Sequence, residues 1–65
     1  MHKNNMRNIR NHKDMTLERL SELTGISVGY LCHLEKGTRS NPSMQVMELI
    51  AMGLESSVTE VFFNK

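Results

Sequence analysis

One cysteine, one proline, no tryptophan and no long apolar run set the first limits on this 65-residue chain. A lone Cys32 forms no internal disulfide, so the fold is not a stapled secreted scaffold. Without a membrane-length apolar stretch or a signal-peptide pattern, the chain reads as cytoplasmic, with no membrane partner. No low-complexity tract or internal repeat is present, which sets aside linkers and solenoids. Alternating β-branched and polar runs are also missing, and with them any basis for a sheet. The length allows one domain with a single small core, too little for a two-lobed enzyme cleft.

Charge is scarce in sum and uneven in place. The formal net charge is +1, too small by itself to argue for a nucleic-acid partner. Lys3, Arg7, Arg10 and Lys13 nevertheless fall within the first thirteen residues with no Asp or Glu among them, whereas Glu48, Glu55 and Glu60 lie near the other end. One side of the molecule is expected to be basic.

Helix signals fill the rest. Met6 and Ile9 suggest a first short helix ending near Asp14, after a tail at residues 1–5. Thr16 is a suitable N-cap for a second helix running through Leu20 to about Thr24. Gly25 supplies a left-handed stop, and Ser27 caps a third helix, Val28 to about Lys36, which Gly37 closes in the same way. Pro42 disfavours helix just before it, Ser43 caps a fourth helix ending around Gly53 or Leu54, and Ser57 caps a final short one carrying Val58, Val61 and Phe62 inward. The expected fold is all-α, a compact bundle of five helices.

Two helices joined by a turn of three or four residues that includes a glycine must cross steeply, since no room is left for antiparallel packing. Leu20, Ile26, Leu31 and Leu34 fit the inside of such a pair, and Ser21 is small enough to let the helices approach. With the leucines turned in, Gly29, Cys32, His33 and Lys36 recur at i, i+3, i+4 and i+7 and form one exposed stripe. A stripe of this kind has the dimensions to enter a DNA major groove.

The stretch LERLSELTGISVGYLCHLEK, residues 17–36, resembles the helix-turn-helix motif of the lambda-repressor-like, Cro-type (XRE) family. LEKG followed by NPS, and VTEVF, are two further elements in the family's order, so the resemblance extends over about residues 6–62, within an expected domain of 6–63. It implies the five-helix lambda-repressor-like fold, an ion pair between Arg10 and Glu35, and double-stranded DNA as partner. Leu17 departs from the family's usual Gln, which removes one backbone contact. Val28 and Gly29 stand where polar readers are common.

Base readout is accordingly expected from Ser27, Val28, Gly29, Cys32 and His33, and phosphate contact from Thr16, Lys36, Thr38, Arg39, Asn41 and Ser43. Helix four looks apolar nearly all round. Val46, Leu49 and Met52 are assigned to the side away from Met47, Ile50, Ala51 and Leu54, and together with Phe63 they suggest a homodimer interface. Met6, Met15, Met44 and Met47 read as core filler. The function expected is a bacterial or phage-type transcriptional regulator, a homodimeric repressor on a palindromic operator. The alternative is a protein-interaction or antitoxin-like module of the same fold. No paired acids, no His-based triad and no metal-ligand spacing are present, so no enzyme, cofactor, metal or small-molecule ligand is expected.

Overall fold

The computed structural model describes residues 4–37 and 42–63. Five helices follow in order: α1 (Met6–His12), α2 (Leu17–Thr24), α3 (Val28–Lys36), α4 (Met44–Gly53) and a short π-helical segment, α5 (Thr59–Phe63). No strand occurs among the described residues.

Hydroxyl caps set the starts of α2, α3 and α4. Thr16 Oγ1 accepts from the Arg19 backbone N–H at 3.0 Å, Ser27 Oγ from Tyr30 at 3.2 Å and Ser43 Oγ from Val46 at 3.1 Å. Each satisfies an amide that the first helical turn leaves without a partner. Ahead of α5, Ser57 Oγ accepts from the Glu60 N–H while Glu60 Oε1 accepts from the Ser57 N–H, a reciprocal capping box. Gly25 at φ +76° and Gly37 at φ +77° close α2 and α3 in the left-handed region, where a Cβ would be strained. The first helix stops at His12, two residues before the expected end, because Asp14 itself turns left-handed at φ +53° and the Met15 N–H returns to the Arg10 carbonyl.

Every helix contributes to the core: Met6, Leu20, Leu31, Leu34, Ile50, Ala51 and Val61 are buried, joined by Leu54 just after α4. α2 is the hub, packed against both α3 and α4. Its contact with α4 is tight at Gly53, where an added Cβ would lie 2.9 Å from Thr24 Cγ2 and 3.0 Å from Leu20 Cδ1. Thr24 cannot readily turn its methyl aside, since its Oγ1 donates to the Leu20 carbonyl and accepts from the Ile26 N–H. The bare backbone of Gly53 therefore lets the end of α4 rest on α2.

Two expectations need correction. Met44 is exposed, because it opens α4 before that helix meets the core. Val46 packs on the core instead of facing away, as its place one turn before Ile50 dictates. Ahead of α1, Asn4 Nδ2 donates to the Leu34 carbonyl at the end of α3, and Asn5 donates from its backbone and its side chain to the Val61 and Glu60 carbonyls of α5. No described helix is long and apolar enough to cross a membrane.

Candidate nucleic-acid interface

The turn between α2 and α3 is held by side chains as much as by its glycine. Ser21 Oγ donates to the Ile26 carbonyl, and Thr24 Oγ1 takes the Ile26 N–H, so both polar groups of Ile26 are tied back to α2. Ser21 matters for its hydroxyl as well as its small size, a role that spacing alone does not reveal. Leu31 and Leu34 then anchor α3 from below.

Along the outer side of α3, Ser27, Gly29, His33 and Lys36 are exposed, while Val28 and Cys32 are half-buried at its edges. A Cβ added at Gly29 would meet nothing within 4 Å, so that position opens onto solvent. Lys36 makes no ion pair among the described residues. The five expected base readers and Lys36 therefore share one helix and its cap, with no other element laid over Gly29. Thr16 and Ser43 are exposed at the starts of α2 and α4, each with its oxygen accepting a capping bond and its O–H still able to donate. Thr38, Arg39 and Asn41 lie outside the described residues.

Behind α3 sits a charged cluster. Glu35 is buried, its side chain only 1% exposed, and Arg10 grips it with both ends of the fork: Nε to Oε2 at 2.7 Å and Nη2 to Oε1 at 3.0 Å. The remaining Arg10 nitrogen, Nη1, donates to the Met15 carbonyl at 2.7 Å. This ties α1, the α1–α2 loop and the last turn of α3 together. The hydrogen bond to Glu35 raises the Arg10 pKa above its ordinary value; desolvation opposes the shift and the carboxylate charge adds to it. A third participant, Arg7, approaches Glu35 Oε1 from outside at 3.3 Å. The family resemblance implies Arg10 alone as the partner of Glu35. The i, i+3 spacing of Arg7 and Arg10 on α1 was the available signal for the second arginine.

The apolar residues expected at a dimer interface are split by the fold. Leu49 and Met52 are exposed and line an open groove between α2 and α4 together with Met15 and Leu23, flanked by Arg19 and Glu55. Phe63 is exposed at the end of α5, and Val46 faces the core. No cluster of three or more potential metal ligands occurs among the described residues.

Comparison with known protein families matches the helix-turn-helix family HTH_3 over residues 6–61. Among curated proteins, the HTH-type transcriptional regulator SlrR of Bacillus subtilis (strain 168) is 34% identical over 53 residues. That alignment covers 82% of this chain and 35% of SlrR, so the chain spans about a third of that relative's length.

Proposed function

The chain belongs to the Cro/C1-type (XRE) helix-turn-helix family of non-enzymatic DNA-binding domains, and we propose that it is a sequence-specific repressor of transcription acting as a homodimer on a palindromic operator. The observation that carries this reading is the exposed side of α3, where readers and a cation stand on a helix pinned from behind by Leu31, Leu34 and the Arg10–Glu35 pair. An α-helix is about 10–12 Å across with its side chains, and the B-DNA major groove is about 12 Å wide, so α3 fills the groove once it enters.

In this arrangement Ser27 and His33 exchange hydrogen bonds with base edges, Val28 and Cys32 supply apolar contact, and Gly29 permits close approach. Lys36, the hydroxyls of Thr16 and Ser43, and Thr38, Arg39 and Asn41 contact phosphates and set position without reading sequence. Lys36→Ala should then weaken binding to all duplexes alike and lower the salt slope by about 1, whereas His33→Ala should change which sequences are preferred. Fluorescence anisotropy on a panel of duplexes checks both. If the two variants behaved identically, the division between readers and positioners would be wrong.

Dimer formation is supported by the exposed Leu49 and Met52, which line the α2–α4 groove with Leu23, and separately by the exposed Phe63 at the end of α5. Two copies joined there would need to place their recognition helices about 34 Å apart along one face of the duplex. Sedimentation at micromolar concentration should show a dimer that Met52→Glu dissociates. A monomeric parent chain would rule this part out. A regulator of this kind would meet its DNA in the cytoplasm.

A further inference from the structure

Arg10 alone satisfies Glu35: its fork covers both carboxylate oxygens and cancels the charge, with 13% of its side chain exposed. Arg7 adds a second positive charge to a carboxylate already neutralised. It does so through Nε, over a longer 3.3 Å contact, with 58% of its side chain exposed. Its two terminal nitrogens bond to no described residue. Stabilising Glu35 does not account for this arrangement, because the second arginine leaves the cluster one charge positive on a side chain that stays more than half exposed.

The helical position of Glu35 says where those donors lie. Successive residues of α3 are rotated by about 100°, so Glu35 sits about 60° around the helix from Cys32, between the groove-facing stripe and the leucine side. Arg10 fills the inner part of that flank and Arg7 its outer edge. Since α3 nearly matches the major groove in width, the phosphates forming the groove walls run along its flanks. A guanidinium held there by Nε presents the paired N–H groups that recognise a phosphate in a bidentate way.

We propose that Arg7 is a phosphate-contacting residue, held on Glu35 as a bracket so that its free guanidinium edge engages the DNA backbone beside the C-terminal half of α3. The inference rests on the DNA-binding reading of α3. It adds α1 to the elements that touch the duplex, and it makes the buried carboxylate a positioning residue for a DNA contact as well as a structural anchor.

The test is the salt dependence of binding to a random-sequence duplex, measured by fluorescence anisotropy on the intact chain and on Arg7→Gln, Arg7→Lys and Lys13→Gln. Lys13 is a cation on the same stretch of chain, but it faces Glu55 at 3.8 Å, so its removal controls for net charge. Arg7→Gln should reduce the slope of log K against log salt by about 0.9, one phosphate contact. Over a roughly fourfold range of salt, that difference changes its affinity ratio to the parent by about 3.5-fold. Arg7→Lys should keep the parent slope, and Lys13→Gln should match the parent. Melting curves recorded in parallel confirm the fold, and Arg7→Met provides a neutral stem should glutamine disturb it. An unchanged slope in the neutral Arg7 variants, with or without a lowered melting temperature, overturns the proposal, as does an equal fall in Lys13→Gln. If the parent chain itself shows no salt-dependent duplex binding, the DNA reading of α3 fails first; parent binding with an indifferent Arg7 removes the bracket alone.

Discussion

Glu35→Ala should cost about 3–5 kcal/mol, the usual penalty for stranding the partner of a buried ion pair. The loss would exceed the value of the bonds themselves, because Arg10 remains largely enclosed and now faces Arg7 with no anion between them. For a domain of this size each kcal/mol moves the melting temperature by roughly 4–8 °C, so the fall should be upward of about 12 °C. Thermal denaturation followed by circular dichroism measures it, and a midpoint within a degree or two of the parent would refute the account of the cluster. Arg10 itself should not make stability pH-dependent near neutrality. Arg10 has its pKa raised in the folded state, so its contribution is fully present below the ordinary arginine value and is lost only as pH rises through the raised one.

Leu31→Ala should be comparably damaging for a different reason. Leu31 is fully buried, and truncating such a side chain typically costs about 2–5 kcal/mol through lost transfer energy and the cavity left behind. A chain of this length rarely holds more than about 3–5 kcal/mol in total, so the variant should be substantially unfolded when dilute. Its DNA affinity should drop although Ser27, His33 and Lys36 are untouched, because α3 is no longer held out from α2. Excess duplex should restore the fold in part: ligand at about 100 times its Kd contributes about 2.7 kcal/mol. Circular dichroism with and without duplex shows whether this happens. A variant as helical as the parent and equally tight on DNA would mean that Leu31 does not position α3.

Much of this was legible from local chemistry. Thr16, Ser27, Ser43 and Ser57 all cap the elements expected of them, and Gly25 and Gly37 both adopt the left-handed stop, because capping depends on neighbours within three residues. What stayed hidden depends on residues distant in the chain. Asn4 reaching Leu34 and Asn5 reaching Val61 join segments separated by 30 or more positions, and no periodicity foretells them. Gly53 read as a helix stop; its closeness to Thr24 and Leu20 becomes visible only once α2 and α4 are side by side. Val46 was misplaced because a helix rich in apolar residues has no polar face to fix its rotation, whereas the i, i+4 relation to Ile50 decides it.

Amide chemical shifts of the isotope-labelled chain, followed as a duplex is added, put the placement of α3 to the most direct trial. Perturbations concentrated on 27–36, with weaker ones at the starts of α2 and α4 and at Arg7, are the predicted result. Shifts confined to the α2–α4 groove, or none at all at low salt, would mean that α3 does not lie in the major groove.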